Sequence, residues 1–180
     1  MSKVNKLLNE EQLNATIQRM ADEIASRYES QKDAVAIVGI QRRGVSFGQR
    51  LKERIDEKWG GSVDLGVLDI TLYRDDLSAP GSQPEVRNTR IDFDVQNRII
   101  LLTDDVLFTG RTIRSALNAI VDFGRPQKID LIVLVDRGNR ELPIQADAAG
   151  LSIETTPDQT VQVYFDEYDG QNCVMLQTDA

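Results

Sequence analysis

The chain has 180 residues, 41% of them hydrophobic, a size and composition that suit one compact domain spanning 1–180 with a sizeable core. It contains no histidine and a single cysteine, which excludes Ser-His-Asp and Cys-His catalysis, His-ligated metal sites and internal disulfides. A net charge of −8 sets the surface as a whole against polyanions such as nucleic acid, although a local basic patch is compatible with it. No run approaches the ~20 consecutive apolar residues of a membrane span, and Met1 to Leu8 lacks the apolar centre of a signal peptide, so the expected location is the cytoplasm.

In chain order, Leu13, Ile17, Met20, Ala21, Ile24 and Tyr28 recur at helical spacing, and Asn9 three residues before Gln12 reads as an N-cap pair. Ala34 to Ile40 (AVAIVGI) is a short continuous apolar run, the pattern of a strand buried on both faces. Gln41-Arg42-Arg43-Gly44 breaks it before a helical segment that ends near Trp59. A second strand is predicted from Val63 to Leu72, and Pro80, Gly81 and Pro84 make Ser78 to Arg90 a long mobile loop. Arg98 to Thr103 is a third buried strand. The helix after it places Ile113, Ala116, Leu117, Ile120 and Val121 on one stripe, stopped by Gly124 and Pro126. Ile129 to Val135 is a fourth strand, with shorter candidates at Val161 to Phe165 and Asn172 to Leu176; Cys173 reads as a core position. Buried strands alternating with helices predict an α/β fold with a mostly parallel central sheet, whose ligands bind at the carboxyl ends of the strands.

The chemistry concentrates in Asp104 to Thr112, which lies between a buried strand and an amphipathic helix. Thr109 and Thr112 offer hydroxyls, Gly110 permits close backbone approach, and the first helical turn presents amides without intrahelical partners; together these make a phosphate cradle. Asp104 and Asp105 are acceptors and cannot serve that phosphate, but they suit two adjacent sugar hydroxyls, developing positive charge on a ribose ring, or an approaching Mg²⁺. Two other readings of the pair are the Mg²⁺ site of a phospho-acceptor receiver domain and a cap for the following helix. Neither accounts for Thr109-Gly110-Arg111-Thr112.

Ile100 to Ala116 (ILLTDDVLFTGRTIRSA) resembles the phosphoribosyl pyrophosphate signature of type I phosphoribosyltransferases. Four further blocks, Val38 to Gly44, Asp69 to Leu77, Gly124 to Pro126 and Leu134 to Pro143, are similar to the PyrR family of bifunctional pyrimidine operon regulators and uracil phosphoribosyltransferases. The resemblance covers nearly the whole chain in the same order. It implies a type I phosphoribosyltransferase-like fold with a small hood, and transfer of ribose 5-phosphate from phosphoribosyl pyrophosphate to uracil, giving UMP and pyrophosphate; purine transfer is the competing base specificity.

What the resemblance implies for the residues is specific. Asp104 and Asp105 would hold the ribose hydroxyls, and the substrate-binding stretch would run through Val106, Leu107, Phe108, Thr109, Gly110, Arg111 and Thr112, with the last four on the 5-phosphate. Arg42 and Arg43 would face pyrophosphate, and Arg74, Arg90 or both would close over the same charge. Arg137 and the backbone near Val161 would sit beside the pyrimidine and the nucleotide product, although Arg137 read alone could form a structural ion pair with Asp136 or another acid. Mg²⁺ would arrive with the substrate, possible protein ligands being Asp104 and Asp105, for displacement at the anomeric carbon through an oxocarbenium-like state.

A second reading, also supported by the resemblance, is an RNA-binding attenuator that senses UMP or UTP in the same pocket and grips a pyrimidine operon leader hairpin through Arg19, Arg27 and Arg140. Asp22 and Asn139 stand where RNA-binding members commonly carry histidine, which weakens this reading while leaving the transferase motif intact. A homo-oligomer, dimer or tetramer, is the assembly the family implies.

Overall fold

The computed structural model describes residues 3–73 and 89–179. Strand β1 (Lys3–Leu8) leads into helix α1 (Glu10–Arg27), whose N-cap Asn9 accepts from the Gln12 amide while the Gln12 side chain accepts from the Asn9 amide. Strand β2 (Val35–Ile40), helix α2 (Arg43–Trp59) and strand β3 (Asp64–Leu68) follow. Next come β4 (Ile99–Leu107), α3 (Arg111–Val121), β5 (Lys128–Asp136) and β6 (Ala148–Ser152). The chain closes with β7 (Gln159–Tyr164), the single-turn helix α4 (Asp166–Asp169) and β8 (Cys173–Thr178).

Five strands form a parallel sheet in the order β3-β2-β4-β5-β6, and β1, β8 and β7 form a separate three-stranded antiparallel hood. The apolar run of β2 is continuous because both of its faces are covered. Val35 and Ile37 join Leu13, Ile17, Phe47 and Leu51 on one side, whereas Ala36, Val38 and Ile40 join Ile113, Ala116 and Ile120 on the other. The first of these clusters also takes in Val161, Val163, Phe165 and Val174, so the hood shares a core with α1 and α2. Cys173 is buried in β8.

Two strand ends differ from the sequence reading, and two strands are added to it. The second strand stops at Leu68 rather than Leu72, because the Asp69 carboxylate accepts from the Thr71 amide at 2.9 Å and the Tyr73 amide turns back to Ile70 at 2.9 Å, which starts a short 3-10 helix at Thr71–Tyr73. The third strand continues past Thr103 to Leu107, held by parallel pairing that ends at Leu107 opposite Asp136. Strands β1 and β6 are additional. Neither KVNKLL nor AAGLS carries strand periodicity, and each becomes a strand through its neighbours. In β6 a side chain at Gly150 would sit 2.8 Å from Thr16 Cγ2 and 2.7 Å from the Leu134 carbonyl, so α1 packs where only glycine fits.

Candidate functional site

The strand order identifies where a ligand belongs. From β2 the chain moves to the β3 side of the sheet, then returns to place β4 on the other side, with α2 and α3 packed on opposite faces. The crevice beyond the carboxyl ends of β2 and β4 is therefore the topological switch point. Pairing of β4 with β2 ends at Thr103 opposite Gly39, so residues from Asp104 onward have a strand neighbour only on the β5 side and open toward that crevice.

Gly44, at the start of α2, closes the other wall. A Cβ there would lie 2.5 Å from the Thr103 carbonyl and 3.3 Å from Oδ1 of Asp104, while the Thr103 hydroxyl donates to the Gly44 carbonyl at 2.8 Å. This contact fixes the arginine turn against the aspartates. Burial, and then the neighbouring Asp105 charge, push the Asp104 carboxyl well above the ordinary aspartate range. Burial raises Asp105 as well, opposed by a hydrogen bond with Asp104 and by the charge of Arg43. A buried acid and a half-buried one, both with raised proton affinity, share only the charge of Arg43 among the described residues, and hydroxyl donors or a cation would relieve them.

The segment after the strand has the geometry of an anion cradle. Gly110 caps α3 with φ +92°, a left-handed conformation that favours glycine, and no side chain caps this helix end. Thr109 offers its hydroxyl oxygen to the Arg111 amide at 3.3 Å, and its carbonyl accepts from the amides of Glu141 and Leu142 at 2.9 and 3.1 Å. Arg111 and Thr112 are exposed at the helix start, with Arg111 paired to Glu141 at 2.6 Å. Val106 is half-buried, Leu107 buried and Phe108 exposed.

A cavity of about 270 Å³ is lined by Arg43, Asp105, Val161, Gln162, Val163 and Tyr164. It brings together three residues that the sequence placed in separate roles. Arg137 lies nearby in its own arrangement: its guanidinium sits 3.9 Å from the Phe108 ring centroid, its Nε donates to the Thr155 hydroxyl at 3.0 Å, and a terminal nitrogen donates to the Gln159 carbonyl. Asp136 pairs with Arg140 instead, and among the described residues Arg137 makes no ion pair with another acid.

Other predicted residues fall elsewhere. Arg42 lies over the Tyr168 ring at 5.9 Å, next to Arg43 at the turn. Arg90 bridges β3 through Val67 and pairs with Asp92 at the sheet edge, and it does not line the cavity. Arg74 and most of the loop assigned to Ser78–Arg90 lie outside the described residues. Arg19 and Arg27 are exposed on α1, the first donating to the Gly150 carbonyl at 2.7 Å and the second paired with Glu23. Arg140 has a structural setting, donating to the carbonyls of Phe108, Gly138 and Ile144 at 2.8, 3.1 and 2.9 Å. Thr155 and Asp169 are contributions that the sequence did not signal, because a threonine pair in a loop and an acid before a glycine have no distinguishing pattern.

Asp22 and Asn139, the two positions held to weaken the RNA-binding reading, each have a local partner. Asp22 pairs with Lys58 of α2 at 2.9 Å, and Asn139, at φ +56°, donates to the Thr155 carbonyl at 2.8 Å.

Comparison with known proteins agrees with this geometry. Residues 3–168 match the family model described as "Phosphoribosyl transferase domain". The chain is 49% identical over 174 residues to a protein named "Bifunctional protein PyrR" from Elusimicrobium minutum (strain Pei191), covering 96% of this chain and 97% of that one. It is 47% identical over 171 residues to the protein of the same name from Thermus aquaticus, covering 95% and 94%. A crystal structure of a hypoxanthine phosphoribosyltransferase from Staphylococcus aureus superposes with a TM-score of 0.73 at 20% identity, over 97% of this chain and 91% of that one, a likeness of fold. Among the described residues no helix is long and apolar enough to cross a membrane. The chain belongs to the PyrR family of phosphoribosyltransferases.

Proposed function

We propose that this chain transfers ribose 5-phosphate from phosphoribosyl pyrophosphate to uracil in the cytoplasm, forming UMP and pyrophosphate. The observation that carries the reading is the convergence of Arg43, Asp105 and Val161 around one cavity at the switch point of the sheet. Asp104 and Asp105 hold the ribose diol as acceptors and stabilise positive charge developing on the ring. The uncapped start of α3, with Thr109 and Thr112, holds the 5-phosphate. Arg43, with Arg42 beside it, faces the pyrophosphate as its bond to the anomeric carbon breaks. Arg137, fixed by Thr155 and stacked on Phe108, flanks the base, whose nitrogen attacks the same carbon.

Among the described residues no group of three or more acids, histidines or cysteines could hold a metal alone. The paired aspartates suit a Mg²⁺ that brings phosphate ligands of its own. When bound, that ion supplies charge neutralisation on the leaving group.

The test is pyrophosphate release from phosphoribosyl pyrophosphate and Mg²⁺ with uracil, hypoxanthine, guanine and orotate offered separately. Release with uracil alone is the expected result; release with a purine in its place gives the chain to purine transfer.

A regulatory role in which UMP or UTP controls binding to pyrimidine operon leader RNA draws support from relatives named bifunctional. Exposed Arg19 and Arg27 are its candidate phosphate contacts. A mobility shift at physiological salt that responds to UMP tests it. The expected assembly is a homodimer or homotetramer, and exposed Val121 and Phe123 at the end of α3 offer apolar surface for it.

A further inference from the structure

The arginine turn after β2 is met from above by the hood. Asp169 of α4 takes Arg43 in a two-point contact, Oδ1 to Nη2 at 2.8 Å and Oδ2 to Nε at 3.3 Å. The same Oδ2 accepts the Phe165 amide at 2.9 Å, so the carboxylate is anchored to hood backbone and not merely to the arginine. Its side chain is only 14% exposed, against 38% for Arg43. Two turns further along α2, Arg50 reinforces the junction through Glu167, Asn172 and the Phe165 ring, 4.7 Å away.

Arginine presents its donors on more than one edge. Asp169 occupies the Nε–Nη2 edge; Nη1 makes no hydrogen bond among the described residues, and Arg43 lines the same cavity as Asp105. A carboxylate that merely competed with the substrate would have to be displaced and left largely buried without its cation, at a large electrostatic cost. A carboxylate that stays in place has the opposite effect, since it removes the rotational freedom of a long side chain before the substrate arrives.

We propose that Asp169 is a positioning residue for Arg43: anchored in the hood, it holds one edge of the guanidinium so that the other faces the pyrophosphate group of the activated sugar. This rests on the phosphoribosyl-transfer reading and adds a residue to it. Asp169 thereby contributes to sugar-phosphate binding through Arg43, without lining the cavity itself.

The test compares the full-length chain with Asp169→Asn, Arg43→Lys and the double variant. Calorimetry with Mg²⁺-pyrophosphate and with phosphoribosyl pyrophosphate gives affinities, steady-state kinetics give KM for sugar and for base, and thermal melting monitors folding. Asp169→Asn is expected to weaken both phosphate ligands roughly tenfold, within the range of direct pairwise couplings, and to leave KM for the base unchanged. In the Arg43→Lys background the same substitution should change affinity by less than about twofold, because the partner geometry is already lost. Asp169→Glu, which retains the charge but displaces it by one methylene, is expected to lose roughly threefold and carries the test if the amide variant does not fold. Equal or tighter binding by Asp169→Asn, an equal loss in both backgrounds, or a parallel rise in KM for the base overturns the proposal, as does a wild-type chain that binds neither phosphate ligand. Binding with the expected pattern but no transfer to any base leaves Asp169 in this role and removes the transferase reading.

Discussion

The backbone amide of Asp105 donates to Oδ1 of Asp104 at 3.0 Å, so the first acid of the pair folds back along the strand onto the second. This leaves a buried and a half-buried carboxyl adjacent, each with its proton affinity raised. Binding a diol through acceptor oxygens requires the ionised forms. Affinity for phosphoribosyl pyrophosphate should therefore rise with pH through the elevated pKa values and fall on acidification well before the ordinary aspartate value of about 3.9 is reached. Calorimetry in buffers of different ionisation heat should register proton release on binding. The stability effect has the opposite sign. The contribution of these groups is fully present below their unfolded-state pKa and is lost as pH rises through the folded-state values.

Replacing both acids, as Asp104→Asn with Asp105→Asn, should reduce kcat/KM for transfer by about 100-fold or more, the scale of losing electrostatic stabilisation at a developing charge. The melting temperature should not fall, because two adjacent like charges, one of them buried, are removed. Unchanged steady-state kinetics in this double variant would remove the aspartates from the reaction.

Gly44→Ala tests the wall between the arginine turn and the aspartates. Its Cβ would meet the Thr103 carbonyl at 2.5 Å and the Asp104 Cα at 3.1 Å, both backbone atoms. The turn must move away, with a stability loss of roughly 1–3 kcal/mol read from denaturant unfolding, and sugar-phosphate binding should weaken with it.

Arg137→Lys keeps the charge but loses the planar fork that reaches Thr155 and Gln159 and stacks on Phe108. KM for uracil is expected to rise roughly tenfold, equivalent to about 1.4 kcal/mol, with KM for the sugar substrate unchanged. Thr155→Val should reproduce part of that rise. A rise confined to the sugar substrate would move Arg137 away from the base.

The three arginines considered for RNA should separate. Arg140→Ala removes donors to three backbone carbonyls and the partner of Asp136, so a stability loss of roughly 2 kcal/mol or more is expected in thermal or denaturant unfolding. Arg19→Ala and Arg27→Ala should instead leave transfer unchanged. If these residues contact leader RNA phosphates, each substitution reduces the salt slope of RNA binding by roughly 1.

Much of the molecule was legible in its residues, but unevenly. Val35 to Ile40 announced itself as a two-faced strand because helices cover both sides, and the Asn9–Gln12 pair marked the start of α1 through a local hydrogen-bond exchange. Gly110 stood out as a position of close backbone approach between a strand and a helix, and it takes a left-handed conformation at the start of α3. By contrast, β6 was hidden: two alanines and a glycine have weak strand preference, and that segment is extended because β5 pairs with it and α1 packs against it.

Features whose cause is local or periodic could be read from the residues alone: buried strands, amphipathic helices, and the acid pair that precedes Gly110. Which charges meet is settled by how distant parts of the chain pack together. Asp169 lies 126 residues from Arg43, and Thr155 lies 18 from Arg137, so neither contact has a helical or strand period to betray it. Their pairing depends on how the hood, made from both ends of the chain, seats over the carboxyl edge of the parallel sheet, and that seating is set by the shared core of Val161, Val163, Phe165 and Val174 with α1 and α2.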